Sequence, residues 1–501
     1  MNENIKRYFE QNKEVCFQRL DDNTAQDLNI DELFCFMDHT KSVIGQQCLY
    51  DLLRSIPNEN IVAKNEKYIS SVGKDEVKKK KTEKLLSKLN NADAYYICSL
   101  FQLDHPIIPK SRLNIYRVLQ LIPFTCLLLF IILNSKVALL LLFLSFIINL
   151  IVHYKNKQLS FLYAGSVPQL LKMLSVVEEL FSITRLSHVD IKTALQNSKI
   201  LKKHFSLFRF EAKLDNEIAA IAWLASEIIR IFFLLEPVAL FRAFSAVNDK
   251  KEDIKAIFKY IGYVDILHSI AEFRNEFDDY CIPQYSSTTV LSAKDIYHPL
   301  IENCVKNSFS LEAQSFLVMG SNMSGKTSFM RTVALNTLTA QTVNICFASY
   351  FFMQKQKVWT AISLGDDILE GVSYYLSEVL RIRSIVEEAS IGSNLIIIDE
   401  LFKGTNTEER IAISQAILTY LSQNRRNITM ISTHDTQLPE LINTDLFRII
   451  HFNEKIEKGN LSFPYLIQEG KPTSRNAIKI LELYNYPEEI IKEALGKINK
   501  A

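Results

Sequence analysis

The sequence predicts an α + α/β chain: an N-terminal all-helical domain carrying a transmembrane helical hairpin, and a C-terminal P-loop α/β domain. Three observations predict it. Apolar residues recur at helical spacing over 31–101 and 158–280. Thirty-five residues, 118–152, carry one charge, Lys136. Residues 315–330, SFLVMGSNMSGKTSFM, hold the pattern G-x-x-x-x-G-K-[ST] as Gly320, Gly325, Lys326 and Thr327, between an apolar strand-like run and a helix. The expected divisions are 1–116 (helical), 117–153 (hairpin), 154–284 (helical) and 285–501 (nucleotide-binding).

Composition narrows the function. With 57 Lys+Arg against 56 Asp+Glu in 501 residues, the net charge of +1 gives no global basic field for nucleic acid, so any such binding needs a local patch. Eight cysteines without a CxxC pair argue against a zinc site or a disulfide framework and fit a reducing compartment. The opening MNENIKRYFEQNKEV is polar and has no apolar segment of a signal peptide.

Residues 31–57 place Leu33, Phe36, Met37, Val43, Ile44, Cys48, Leu49, Leu52 and Leu53 mostly at helical spacing, so one or two amphipathic helices are expected before Pro57. The basic run 78–81 reads as a solvated helix face. Residues 118–133 and 137–152 form two 16-residue apolar arms, each about 24 Å as helix against a hydrocarbon core of ~30 Å. Basic residues outside both arms (Lys110, Arg112, Arg117, Lys155, Lys157) place both ends in the cytoplasm by the positive-inside bias. The expected location is thus the cytoplasmic membrane, with lipid around 118–152 and the nucleotide-binding domain in the cytoplasm. A hairpin buried in a soluble core is the competing reading. Residues 218–235 read as a core helix, because Glu227 and Arg230 would be costly in lipid. The polar stretch 283–294 reads as a connection into the C-terminal domain.

The chemistry lies in the C-terminal half. Gly320 and Gly325 let backbone N–H groups approach phosphates, Lys326 adds a charge near the β and γ oxygens, and Thr327 offers a hydroxyl to Mg²⁺ at a helix N-terminus. The apolar run 395–398 ends in Asp399 and Glu400, as a Walker B strand would. Asp399 is then the Mg²⁺ residue, and Glu400 the one that orients water for attack on the γ-phosphate. A third apolar strand, 430–432, brings His434 to the same sheet edge. Ser373 lies among the glycines and acids of 362–379, ahead of a helix.

Together these residues resemble the MutS family of mismatch-repair ATPases, of the ABC class. GSNMSGKTSFMR is similar to the family's G-P-N-M-G-G-K-S-T-x-x-R, DELFKGTNTEER to D-E-x-x-x-G-T-S-T, STHDTQL to A-T-H-x-x-x-L, and LGDDILEGVSYY to D-D-x-x-x-G-x-S-T-F. His298 and Pro299, the segment 33–57 and the closing YPEEIIKEA extend the likeness, which covers roughly 30–100 and 285–495. The resemblance implies an ATPase that binds ATP and Mg²⁺. Its Walker A loop would be Gly320, Ser321, Asn322, Met323, Ser324, Gly325, Lys326, Thr327 and Ser328. Thr327 and Asp399 would be the metal residues, and Lys326, Glu400 and His434 the catalytic ones. It implies that Ser373 reaches the nucleotide of a second subunit, hence a homodimer with composite sites, and it makes DNA a partner and DNA mismatch repair the family role. Phe309 is a candidate to stack on adenine. The departures are Ser328 after Thr327, Tyr374 after Ser373, Asn406 for a serine, and a hairpin where the family builds lever and clamp helices. Two other readings stand beside the ATPase: a non-catalytic nucleotide-dependent membrane scaffold, and a transporter ATPase.

Overall fold

Segments distant in sequence combine into two compact units in the computed structural model, which describes residues 2–103, 110–163, 166–186, 191–205, 227–321, 323–362, 374–402, 405–457, 460–472, 481–482, 484 and 486–498. One unit comprises Met1–Glu14, Asp38–Asp51 and Lys67–Glu272; the other comprises Val15–Met37, Leu52–Glu66 and Phe273–Ala501. The sequence reading had assigned 15–37 and 52–66 to the helical segment; here they belong to the unit that holds the C-terminal sheets.

The first unit is helical. Ile5, Tyr8 and Phe9 fall on one face of the helix Glu3–Gln11, and Tyr8 meets Phe258 and Phe101 with ring centroids 5.0 and 6.3 Å away. Asp265 is fully buried in the helix Lys251–Glu276. Its carboxylate accepts the Lys41 N–H (2.9 Å), the Ser42 N–H (2.8 Å) and the Ser42 hydroxyl (2.5 Å), satisfying donors at the start of the helix Val43–Arg54. Gly45 must be glycine here, because a Cβ would lie 2.1 Å from Asp265 Oδ2. The basic run 78–81 lies on the surface helix Glu76–Leu86 and pairs with Glu76, Glu83 and Glu179.

The apolar stretch forms a helical hairpin, Lys110–Leu133 and Lys136–Tyr163, turning at Asn134 with φ 44°. Within it Ser111–Leu133 and Lys136–Lys155, 23 and 20 residues, are long and apolar enough to cross a membrane, and only 11% and 22% of their most apolar windows are buried. These arms exceed the expected 16 residues because the first helix runs back through Tyr116 and Arg117 and the second runs on past His153. Their lengths are about 34 and 30 Å. Leu121, Phe124, Ile131, Leu140, Phe143 and Ile151 on these arms are exposed. The buried polar residues Ser145, Asn149 and His153 recur every fourth position on one face of the second helix. Asn149 Nδ2 donates to the Phe232 carbonyl (2.8 Å), and His153 Nε2 lies 3.3 Å from Glu227. Residues 218–226 of the 218–235 segment lie outside the described residues; 227–232 is helical.

The second unit is built from strands β1 (Gln18–Arg19), β2 (Ser55–Ile56), β3 (Gln284–Ser286), β4 (Val290–Ile296), β5 (Asn307–Glu312), β6 (Ser315–Met319), β7 (Tyr350–Gln354), β8 (Lys357–Ala361), β9 (Asn394–Asp399), β10 (Asn427–Thr433), β11 (Phe447–Phe452), β12 (Lys455–Glu457), β13 (Asn460–Ser462) and β14 (Ile467–Glu469). The larger sheet has the order β14-β11-β6-β10-β9-β8, all parallel except β14. The inner strands β6 and β9 carry unbroken apolar runs, 316–319 and 395–398, as strands buried on both faces do. Leu317, Ile396, Ile398 and Ile431 share a core with Ile382 and Ile385 of the helix Tyr374–Ala389 and with Leu418 and Leu421 of the helix Thr407–Gln423. A second sheet, β3-β7-β4-β5, includes β3 and β4, so the stretch 283–294 is sheet rather than only a connection.

The edge strand β8 is closed by the N-terminal segment. The Gln18 side-chain amide donates to the Val358 carbonyl and accepts the Val358 N–H, both at 2.7 Å, in place of a neighbouring strand. The buried Asp27 accepts the Thr360 hydroxyl (2.6 Å) and the Ile362 N–H (3.0 Å). Arg381 donates to the Thr360 carbonyl, to Thr24 Oγ1 (2.7 Å) and to Asp21 (2.9 Å).

Asp27→Ala strips two buried donors of their acceptor and is expected to cost about 2–4 kcal/mol, read as a lower denaturation midpoint by Trp359 fluorescence. A second test concerns Asp265. Burial pushes its carboxyl up to about 7, against the donors that pull it down, whereas the unfolded chain titrates near ~3.9. Between those values the folded chain holds the extra proton. Stability is therefore fully present below about pH 4 and falls by up to about 1.4 kcal/mol per pH unit until about pH 7. Denaturation midpoints across that window are expected to lose this slope in Asp265→Asn.

Candidate functional site

Parallel register brings three strand ends to one edge of the larger sheet. Thr433 of β10 lies opposite Met319 of β6, and Ser432 of β10 opposite Asp399 of β9, so the chain leaves β6, β9 and β10 at the same level. That edge, at the carboxyl ends of parallel strands, is where open α/β sheets hold ligands.

From β6 the chain passes through 320–325 into the helix Lys326–Thr342. Gly320 has φ 136°, and a Cβ there would stand 2.6 Å from the Phe452 carbonyl oxygen. Gly325 has φ 99° beneath the Tyr465 ring, whose Cδ1 would be 2.8 Å from a Cβ. Both positions therefore demand glycine. Ser324 Oγ donates to the Ser321 carbonyl (2.7 Å), and Ser321 Oγ donates to Glu454 (2.5 Å), fixing the loop from within and from the segment after β11. Met323 projects from the loop, 70% exposed, and Ser328 is exposed in the first helical turn. Lys326 is buried, and its Nζ donates to the carbonyls of Gly320 and Ser321, both at 2.8 Å.

One carboxylate joins the loop to its neighbours. Asp399 accepts the Thr327 hydroxyl at 2.9 Å and the Ser432 hydroxyl at 2.5 Å. Next in the chain, Glu400 takes a left-handed conformation (φ 62°) and lies 2.6 Å from His434 Nε2. Arg410, from the helix Thr407–Gln423, grips Asp435 through two nitrogens at 2.6 and 3.2 Å. Glu400, Arg410, Ser432, His434 and Asp435 line a cavity of about 230 Å³.

The structure thus brings Gly320, Ser321, Ser324, Gly325, Lys326, Thr327, Asp399, Glu400 and His434 to one sheet edge. Asn322 and Ser373 lie outside the described residues, as does Gly404. Phe309, the candidate for adenine stacking, packs edge-on against Phe316 and Phe329 at 5.8 and 5.7 Å. Sequence reasoning missed Ser432, Arg410 and Asp435, Glu454 and Tyr465. Asp435 had a signal in adjoining His434 at a strand end, and Ser432 in being a hydroxyl inside an apolar strand. Glu454 and Tyr465 reach the loop only through tertiary structure.

Residues 316–501 match the family described as MutS domain V. The C-terminal half is also similar to three curated proteins named DNA mismatch repair protein MutS. It is 30% identical to that of Staphylococcus haemolyticus over 257 residues, 47% of this chain and 28% of that protein. To the Aquifex pyrophilus protein it is 32% identical over 243 residues, 47% of this chain and 28% of that protein. To a Listeria monocytogenes protein it is 30% identical over 259 residues, 50% of this chain and 30% of that protein. These similarities support kinship with the MutS family; the chain spans less than a third of the length of these relatives.

Backbone geometry at the loop gives a direct test. Gly320→Ala combines a left-handed φ with a backbone clash and is expected to destabilise by about 1–3 kcal/mol. Gly392→Ala, with φ 79° but nothing within 4 Å of the added Cβ, is expected to cost only about 1 kcal/mol. Denaturant titration of both variants checks the difference.

Proposed function

We propose that this chain is a MutS-like, Mg²⁺-dependent ATPase that works as a homodimer and is tethered to the cytoplasmic membrane by residues 118–152, with its ATPase domain in the cytoplasm. The observation that carries the reading is the convergence of Thr327 on Asp399 (2.9 Å) and His434 on Glu400 (2.6 Å) beside a glycine-bounded loop at one sheet edge. The MutS domain V match over 316–501 supports it.

The donor set fits the ligands. Thr327 Oγ1 and the Asp399 carboxylate are hard oxygens already within hydrogen-bond distance of each other, the type that Mg²⁺ prefers. Mg²⁺, when bound, neutralises phosphate charge and orients the phosphate oxygens. The backbone of 320–325 and the first turn of the helix Lys326–Thr342 favour an anion. Lys326 now donates to two neutral carbonyls, and an anionic phosphate oxygen is the stronger acceptor, so its ammonium turns to the γ-phosphate. Glu400 orients the attacking water and takes its proton, while His434 holds that carboxylate in place. Ser373, by the family resemblance, completes the site of the second subunit, so ATP binding and dimer closure are one event. Hydrolysis then switches the arrangement of the helical segments.

Membrane tethering is supported by the two long, largely exposed apolar helices. DNA enters this reading from the name of the similar proteins, and DNA mismatch repair is the role that name suggests.

Mg²⁺-dependent ATP turnover by the purified full-length chain tests the proposal. Glu400→Gln is expected to keep nucleotide binding while losing turnover by about 10²–10⁴-fold; Lys326→Ala is expected to lose binding itself. Turnover no higher than that of Glu400→Gln would leave a non-catalytic nucleotide scaffold. Stimulation by mismatched over fully paired duplex, falling as salt rises, is the outcome expected of a DNA role.

A further inference from the structure

The charges around the hairpin carry one step more. From residue 105 to residue 177 there is no Asp or Glu, although the chain average would place about eight acids in such a stretch. Lys and Arg remain. One, Lys136, stands at the tip; Lys110, Arg112, Arg117, Lys155 and Lys157 flank the open end. Counted from the tip at ~1.5 Å per residue, Arg117 stands about 24 Å and Lys155 about 28 Å away, near the edge of a ~30 Å hydrocarbon layer, and Arg112 stands about 32 Å away, just beyond it. Arg112, Arg117 and Lys155 are exposed. Beside this collar Leu150, Ile151 and Tyr154 line an open groove of about 460 Å³ with Lys155 at its rim. An apolar floor, an interfacial tyrosine and a cation are the parts that an acyl chain and its phosphate require.

We infer that the open end of the hairpin is a docking surface for anionic phospholipid, headgroup phosphates meeting Arg112, Arg117 and Lys155 while the acyl chains lie along the exposed leucine and isoleucine faces. This rests on the reading of the hairpin as membrane-embedded and adds the class of lipid. Charge complementarity selects the occupant: the hairpin's own sequence sets no acid among Arg112, Arg117 and Lys155, the Glu227 that approaches it lies 3.3 Å from the buried His153, and a zwitterionic headgroup gains little from such a collar. The flanking apolar faces favour lipid over nucleic acid, which would leave them uncovered. Each basic residue close to an anionic surface strengthens association about fivefold, with salt screening the effect over ~10 Å at 0.1 M.

The full-length chain in neutral detergent, titrated with fluorescent phosphatidylglycerol and phosphatidylcholine, gives the test. Phosphatidylglycerol is expected to bind about tenfold tighter or more at low salt, with the advantage shrinking at about 0.5 M salt. The triple variant Arg112→Gln, Arg117→Gln, Lys155→Gln is expected to lose the preference and keep ATP turnover. A matched control, Lys74→Gln, Lys80→Gln, Lys84→Gln, on exposed positions of another helical region, is expected to keep both. Equal affinity for the two lipids overturns the inference. So does displacement of phosphatidylglycerol by an equal concentration of free glycerol phosphate or of duplex DNA, which would assign the collar to a soluble anion or to nucleic acid. Extraction of membranes at alkaline pH separates the layers: release of the chain overturns the membrane reading itself, whereas a chain that stays embedded but binds both lipids alike overturns only the lipid class.

Discussion

The Asp399 carboxylate stands between the Thr327 hydroxyl of the helix after β6 and the Ser432 hydroxyl of β10, and the candidate site depends on that bridge. It works only because β6, β10 and β9 are parallel and in a register that ends them together. A parallel sheet in turn needs both faces covered, which explains the apolar runs of β6 and β9 and the nearly all-round burial of the helix Lys326–Thr342. One polar contact of 2.9 Å thus summarises a packing requirement spread over the whole unit.

The turn beyond β9 is held in a conformation that ordinary residues resist. Glu400 and Phe402 both have left-handed backbones, φ 62° and 54°, at a cost of about 1–3 kcal/mol each. The compensation is local. Glu378, buried in the helix Tyr374–Ala389, accepts the Phe402 N–H at 2.5 Å, and the Tyr375 ring lies 5.9 Å from that of Phe402. The segment just before that helix holds Ser373, so the turn that aims Glu400 is anchored to the element that follows the serine. Strain and anchoring together fix Glu400 toward His434 rather than leaving it to solvent.

Much of this site was legible in sequence because its signals are local. The glycine spacing of the loop, the apolar runs ending in Asp399 and Glu400 or before His434, and the helical period of 31–57 each express a nearest-neighbour constraint, and the helices Ile30–Met37 and Val43–Arg54 follow that period. The hairpin was visible from its lack of charge, but its length was not, since Tyr116, Arg117 and His153 look like boundaries and are helical. Strands β3 and β4 escaped notice because Ser and Thr near a sheet edge resemble a linker. Phe309 shows a related limit: an aromatic residue on a strand gives no sign in sequence of which neighbours it will meet, here Phe316 and Phe329. Least legible was the attachment of 15–37 to the sheet. It rests on side-chain bonds from Gln18, Asp27 and Arg381, which leave no period in the sequence.

That attachment has a consequence for biosynthesis. Gln18 is separated by 340 residues from Val358, and Asp27 by 335 from Ile362. At ~5–20 residues per second, the ribosome delivers those partners roughly 17–70 s after the segment they bind. Through that interval the earlier-made segment has no β8 edge to close, and the edge, once made, is closed by that segment together with Arg381. The sheet margin is therefore sealed by a stretch made more than 300 residues earlier, and a ribosome-bound intermediate carries both an unpaired strand edge and the segment destined to cover it.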